Sequence, residues 1–335
     1  MRNIFILFAF SIFLLSGFLI AQPMFTEINS KVGAFSRMGF GARGIGMGNA
    51  MSSVTTGNLV SYYNPAVTPF QENNSMQLGY SVLSLDRSLN FLSFTRKFDF
   101  YSSKDTSVDK KPTSTAGISF GIINSGVSGI DGRDNNGLPT EELSTSENQV
   151  FLGVANRFSK KLSIGIAVKF YYYKLYEDIT SNGLGLDIGA LYKVNDNWNV
   201  SLMLSDLNSQ YEWDTAPIYQ QQGLTTKDKF PLLKKIGVSY YKPEIKLLTA
   251  IEFENSNAGT NIIRFGAEYN IYENLFLRGG IDQFNLSNTD AGVKPSLGFS
   301  YAKTLGDWII GVDYAFMMEQ YSSSDRHIIG LNIIF

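Results

Sequence analysis

From Leu162 the chain reads LSIGIAVKFYYYK. Leu162, Ile164, Ile166, Val168, Phe170 and Tyr172 fall on one side of an extended backbone, and Ser163, Gly165, Ala167, Lys169, Tyr171 and Tyr173 fall on the other. A period of two held over this length predicts a strand with two chemically different faces. The same alternation returns in SMQLGYSV from Ser75, AGISFGI from Ala116 and GLGLDIGALYKV from Gly183. It returns again around Ile263, Phe265 and Tyr269, and around Ile310, Val312 and Tyr314. About fourteen such segments can be counted. They lie near 75–84, 87–97, 114–124, 148–158, 162–175, 182–194, 198–206, 233–241, 245–254, 261–271, 275–283, 295–303, 307–318 and 326–335. Most are about nine to thirteen residues long, enough to cross a bilayer as a tilted strand. No second long apolar run follows Gln22, so a bundle of membrane helices is excluded.

The connections have their own rhythm. Short turns at Ser159, Asn195, Tyr241, Tyr272 and Thr304 alternate with longer polar links at 125–147, 207–232 and 284–294. Short turns at one rim and long loops at the other describe an outer-membrane barrel. The link 98–113 is the exception, since it falls at the short-turn rim. An even strand number puts both ends of the mature chain on the periplasmic side. A soluble β-sandwich would alternate as well, but three features oppose it. The less apolar face carries Gly, Ser and Ala rather than Lys and Glu. Aromatics such as Tyr171–Tyr173 and Trp198 sit near strand ends, as interface girdles do. The chain also closes on HIIGLNIIF, an alternating strand whose last residue, Phe335, is the aromatic barrel-terminal signal.

Composition narrows the class further. Charged residues make up 17% of the 335 residues, below the roughly 25% usual in soluble domains, and aromatics reach 14%. A net charge of −2 with no basic stripe excludes nucleic acid as a partner. The absence of Cys excludes thiolate metal sites and a disulfide scaffold. The opening MRNIFILFAFSIFLLSGFLIAQ has a basic start at Arg2, an apolar run from Ile4 to Ile20 and an LIA end. It predicts a secretory signal over 1–21, cleaved after Ala21, and with the strands it predicts the bacterial outer membrane, whose lipid is then a partner.

Gly39, Gly41 and Gly44 spell the G-x-G-x-x-G of a dinucleotide loop. That loop needs a buried strand before it, a βαβ unit around it and an acidic residue about 20 positions on. Here the first acidic residue after Gly44 is Glu72, beyond Asn64-Pro65. Over a longer window, SRMGFGARGIGMGNAMSSVTTGNLVSYYNPAVTPF joins an Ala-Arg, a Gly-x-Gly-Met-Gly-x-Ala run, a polar spacer and an Asn-Pro-Ala. This order resembles the N-terminal signature of the PorV/PorQ family, within the wider FadL-like group of outer-membrane barrels. The stretch from Asp134 to Leu175, GLGLDIGALYKV, LFLRGGID and the closing HIIGLNIIF agree with it by type and position. The resemblance implies an all-β fold: a transmembrane antiparallel β-barrel of fourteen strands with an N-terminal plug segment inside the lumen. The expected division is signal peptide 1–21, plug segment 22–72 and barrel 73–335. Arg43, Gly44, Gly46, Gly48, Asn64 and Pro65 form the expected plug motif. Glycines on alternate positions allow close backbone approach, Asn64 can cap a turn, and Pro65 fixes the bend into the first strand.

Little points to catalysis. The lone His327 lies on the lipid-facing parity of the last strand, whereas a catalytic role would need the other face and an orienting acid, so neither enzyme activity nor a cofactor or metal is expected. The inward parity gathers Lys169, Asp187, Lys193, Glu252, Glu254, Arg264, Glu268, Arg278, Asp282 and Asp313. Those charges either guide a solute or pair with one another across strands to fill a narrow barrel. The loop from Gly129 to Leu143 reads as a solvated, turn-rich surface loop. The loop 207–232, with Tyr211, Trp213, Ile218 and Tyr219, either meets a partner or folds over the barrel mouth.

Three functions remain open, one of them a structural barrel with no transported substrate. The PorV/PorQ resemblance implies a non-enzymatic component of type IX protein secretion that meets secretion-system proteins or exported cargo at the outer membrane. The wider FadL-like resemblance implies a channel for a hydrophobic small-molecule ligand. A continuous apolar pocket beside residues 39–66 would favour the channel.

Overall fold

The computed structural model describes residues 27–101, 112–176, 179–288 and 290–335. The expected signal sequence and its cleavage point lie outside the described residues.

Sixteen strands are seen among those residues. They are β1 (Ser75–Val82), β2 (Ser88–Phe100), β3 (Ser114–Arg133), β4 (Pro139–Arg157), β5 (Leu162–Tyr176), β6 (Ile179–Lys193), β7 (Trp198–Leu207) and β8 (Gln210–Asp214). The others are β9 (Thr225–Lys229), β10 (Leu233–Lys242), β11 (Leu247–Ser256), β12 (Asn261–Tyr272), β13 (Leu275–Asn285), β14 (Lys294–Leu305), β15 (Trp308–Met317) and β16 (Arg326–Ile334). Fourteen of them close into one antiparallel barrel, and β8 and β9 form a separate hairpin between β7 and β10. Closure is made by β1 against β16, with Met76 opposite Ile333 and Tyr80 opposite Ile329. Every expected strand is present, with small shifts at the ends except in β3 and β4, which each extend nine residues further.

The two faces differ as the alternation requires. On β5, Ser163, Gly165, Ala167, Lys169 and Tyr171 are buried inside, while Ile164, Ile166, Val168 and Phe170 are exposed outside. The outward apolar side chains recur around the barrel, including Leu152, Leu202, Phe265, Leu297 and Val312. Such a belt is unfavourable in water and fits a hydrocarbon surround. Among the described residues no helix is long and apolar enough to cross a membrane.

Three local readings differ from the sequence expectation. The polar link 125–147 is mostly strand: β3 and β4 run past the barrel rim to a turn at Asp134–Gly137. Pairing continues from Val127 opposite Thr145 to Arg133 opposite Pro139, across two register shifts. At the tip, Asp134 Oδ1 accepts from the amides of Asn136 and Leu138 at 2.8 and 2.9 Å, so this acid closes a turn. The link 207–232 contains the β8–β9 hairpin, and its Tyr211 and Trp213 are buried over the mouth. Tyr171 and Tyr173 turn inward, so only Tyr172 of that trio faces outward. Tyr171, Tyr173, Tyr211, Trp213 and Phe230 stack on one another with ring centres 4.6–6.3 Å apart. That burial gives the aromatic surface of the loop an intramolecular destination.

The N-terminal segment is irregular. It holds short turns at Glu27–Ser30 and Ala34–Arg37, a one-turn helix α1 (Ala42–Gly46) and a 3-10 turn at Pro65–Phe70. Its Phe40, Met47, Met51, Val54 and Tyr63 are buried in one cluster with the inward Leu89, Phe91, Phe151 and Tyr171 of the wall.

Candidate functional site

The segment meets the wall at two places. Helix α1 packs against β13, β14, β15 and β16, and the turn Pro65–Phe70 packs against β2 to β6. Asn64 starts that turn: its Oδ1 accepts from the amide of Ala66 at 2.9 Å, and Pro65 occupies the first position, where no amide hydrogen is needed. The Asn64 amide group also donates to Ser52 O at 2.9 Å, tying the two halves of the segment together.

At α1 the contact is close enough to need glycine on both sides. Gly48 has φ 58°, and a β-carbon there would lie 2.6 Å from the backbone of both Phe265 and Ile281. The wall answers with Gly266 and Gly280, whose own β-carbons would run into Met47 and Gly48. Gly44 leaves room for the hydroxyl of Tyr63. That hydroxyl accepts from Phe40 N at 3.0 Å and reaches Phe40 O and Asn49 Oδ1 at 2.9 and 2.8 Å. Gly46 is less demanding, with Arg278 Cβ at 3.3 Å and Gly298 Cα at 3.4 Å from an added β-carbon.

Charges join the same surfaces. Arg43 grips Glu268 with two bonds of 2.8 Å from Nε and Nη2, and its Nη1 donates to Thr56 O and Asn58 O at 2.7 and 2.9 Å. Arg278 donates to the same Glu268 at 2.6 Å. Arg264 meets Asp282 at 2.7 Å, Glu254 at 3.0 Å and Glu252 at 3.3 Å. Asp282 also accepts from Asn49 at 2.8 Å, and Glu252 from the amide of Ser52 at 3.2 Å. Thus Glu252, Glu268 and Asp282 are each shared between a wall arginine and the N-terminal segment. Sharing supplies the several charge-assisted bonds that a buried carboxylate needs. Burial acts to lower the Arg43 pKa, and Glu268 more than offsets it, leaving Arg43 above its ordinary value.

The other expected inward charges form separate groups. Lys169 pairs with Asp187 at 2.8 Å and Asp206 at 3.2 Å. Asp313 accepts from Asn332 and lies 3.9 Å from Arg278. Lys193 is not deep in the lumen: it is half-buried at the short-turn rim, because β6 ends there, and its ammonium lies 5.5 Å from the Phe70 ring centre. Phe335 packs on Trp308 and Phe94, with centroids 5.3 and 6.4 Å apart. His327 is exposed on the outward face, with Nδ1 2.7 Å from the Tyr314 hydroxyl. Sequence reasoning missed Arg326, which is buried and donates to Met38 O at 2.7 Å and Gly39 O at 3.1 Å. It also missed Asn49, Tyr63 and the wall glycines. The glycines were visible as inward-parity Gly in strands otherwise rich in large residues.

Two cavities frame the segment at the long-loop end of the barrel. A vestibule of about 550 Å³ is bounded by Met38, Leu83, Leu85, Ile262, Met317 and Tyr321 together with Arg37, Arg264 and Arg326. Below it a void of about 20 Å³ lies among Arg37, Asn49, Tyr63, Lys169 and Glu254, room for roughly one water. Arg37 borders both and donates to the carbonyls of Val32, Lys31 and Ile28 at 2.7–3.1 Å.

No protein-family model matches this chain, and no curated protein matches it. Solved structures do match in fold. The toluene transporter TodX of Pseudomonas putida aligns with a TM-score of 0.56 at 16% identity, over 88% of this chain and 96% of that one. The toluene transporter TbuX of Ralstonia pickettii gives 0.54 at 14%, over 88% and 97%. A FadL homologue of Pseudomonas aeruginosa gives 0.54 at 10%, over 88% and 97%. The fold is therefore a closed fourteen-stranded antiparallel barrel of the FadL-like outer-membrane type.

Proposed function

We propose that this protein is an outer-membrane channel for hydrophobic small molecules, held closed by its N-terminal segment. The observation that carries the reading is the 550 Å³ vestibule, with apolar Leu83, Leu85, Ile262 and Met317 on its walls and the N-terminal segment as its floor. The fold is shared with proteins named as toluene transporters, and their printed function suits an entrance that sets these apolar side chains among its polar and charged ones. In this conformation passage beyond the vestibule requires the segment to move, because the space beneath is about 20 Å³. The three shared carboxylates are then the latches, and residues 27–72 act as the plug. The test is uptake of a monoaromatic hydrocarbon by proteoliposomes holding the wild type or Glu268→Gln, which weakens the grip on Arg43. Faster uptake through the variant supports the reading. Uptake equal to protein-free vesicles in both overturns it.

A second reading has its own observation. Among the described residues the space beside 39–66 is filled by ion pairs and Tyr63, and the void there is about 20 Å³ rather than a continuous apolar pocket. A filled interior suits a PorV/PorQ-like component of type IX secretion that works by binding partners rather than by conducting. Co-purification with secretion components or signal-bearing cargo, in the absence of hydrocarbon uptake, selects it.

A further inference from the structure

The periplasmic mouth carries a feature that neither reading uses. Lys97 of β2, Arg157 of β4 and Lys193 of β6 share the inward parity at the lower ends of three strands. They face a cavity of about 300 Å³ roofed by Thr55, Thr56 and Phe70 of the N-terminal segment. Phe70 contacts two of the cations, with the Arg157 guanidinium 5.6 Å and the Lys193 ammonium 5.5 Å from its ring centre. Among the described residues no carboxylate lies within ion-pair distance of Arg157 or Lys193, whereas Lys97 is paired with Asp99 at 3.3 Å. Arg157 otherwise donates to Thr115 Oγ1 at 3.1 Å, and that hydroxyl is bonded to Asp99 at 2.8 Å.

Among the described residues acids are near: Asp99 is taken up by Lys97, and the others that border the cavity leave Arg157 and Lys193 without a buried partner. Glu72 and Asp196 also border it, and both are exposed. Exposed charges are screened by water and salt, whereas half-buried cations on a low-dielectric wall project their field into the cleft. Cation–π contact with one shared ring offsets only part of the cost of holding two partly desolvated cations. An oxyanion in the cavity would complete the balance, taking charge-assisted bonds from a planar guanidinium and a mobile ammonium.

We infer that the cavity enclosed by Lys97, Arg157, Lys193 and Phe70 is an oxyanion site at the periplasmic mouth, taking a phosphate or carboxylate group. The group belongs either to a soluble periplasmic molecule or to a phospholipid headgroup of the facing leaflet. Because the roof is the N-terminal segment, an occupant would also bridge segment and wall.

The test uses the full mature chain purified in a zwitterionic detergent at low ionic strength. Titration with inorganic phosphate, followed calorimetrically, is expected to saturate. Arg157→Gln with Lys193→Gln is expected to weaken binding by about tenfold or more. The paired variant Lys160→Gln with Lys161→Gln, which removes exposed cations of the β4–β5 turn, is expected to leave binding unchanged. A heat-modifiable gel shift verifies that each variant forms a barrel. Native mass spectrometry after reconstitution with phosphatidylglycerol or phosphatidylcholine separates the two sources. Selective retention of phosphatidylglycerol, lost in the Arg157/Lys193 variant, assigns the site to a headgroup. Phosphate binding without lipid retention assigns it to a soluble ligand. If phosphate does not saturate and no anionic lipid is retained, the inference fails. It fails also if the Lys160/Lys161 variant loses as much as the Arg157/Lys193 variant.

Discussion

Gly48→Ala would place one methyl group between the N-terminal segment and strands β12 and β13. The added carbon would lie 2.6 Å from Ile281 N and Phe265 O and 2.8 Å from Ile281 C. These are backbone atoms in a barrel ladder, so no side-chain rotation relieves the overlap. Reaching an ordinary 3.4 Å contact requires a separation of about 0.8 Å. Overpacking of this kind costs about 1–3 kcal/mol. The left-handed φ of 58° adds about 1 kcal/mol for a residue with a β-carbon. The sum is about 2–4 kcal/mol against the docked segment. Gly46→Ala is the matched control. Its nearest contacts are 3.3 and 3.4 Å, and its backbone is helical. The gain of up to about 1 kcal/mol from replacing a helical glycine then roughly offsets the tight fit.

The assay is native-state hydrogen exchange of the peptide spanning residues 43–52. Within it Gly48 N bonds Ile45 O at 2.9 Å and Asn49 N bonds Gly44 O at 2.8 Å, and a helix of one turn does not hold such bonds in water once it leaves the wall. A difference of about 2 kcal/mol makes opening roughly thirtyfold more frequent in Gly48→Ala than in Gly46→Ala. Both proteins should keep the heat-modifiable barrel, because the strand ladder is untouched. Exchange rates within about threefold of each other would refute the claim that glycine is needed here for close approach.

Four other outcomes follow from the same geometry. Glu268→Ala strands two buried arginines and should cost about 3–5 kcal/mol in urea unfolding, while adding Arg43→Met should recover part of the loss in a double-mutant cycle. Val168→Arg puts a charge on the outward face of β5 and should cost about 2–4 kcal/mol, seen as a lower folded yield into lipid vesicles. Phe230→Ala removes the ring that packs on Tyr171 and Tyr211 and should speed exchange in β8 and β9 without changing exchange in β12. Phe335→Ala removes the stack on Trp308 and Phe94 and should slow the appearance of the heat-modifiable form during assembly.

The strands were legible because each is a local pattern: in β5, Leu162 to Tyr172 alternate without needing to know what lies across the sheet. Even the inward position of Lys169 and Asp187 follows from parity alone. What those charges touch does not. Glu268 and Arg43 are 225 residues apart, and no period in the sequence links them. Lys193 shares the parity of Asp187, yet it ends at the rim, because depth depends on where a strand stops rather than on which face a residue takes. The link 125–147 read as loop because Gly, Ser and Glu dilute its alternation, although register carried in from β3 and β4 is enough to extend the ladder. The burial of Tyr211 and Trp213 was open for a related reason, since an aromatic in a long link buries against whatever surface the link can reach. The glycines lie between these cases. Gly44, Gly46 and Gly48 form a visible run, and Gly266 and Gly280 are visible as small residues at inward positions. Each set alone reads as flexibility or as filler. Only the pairing of Gly48 with Gly280 gives both a cause: two backbones approach until neither can carry a β-carbon. A glycine at inward parity in a barrel strand is therefore a mark of where something packs against the wall, and here that mark falls where the N-terminal segment lies.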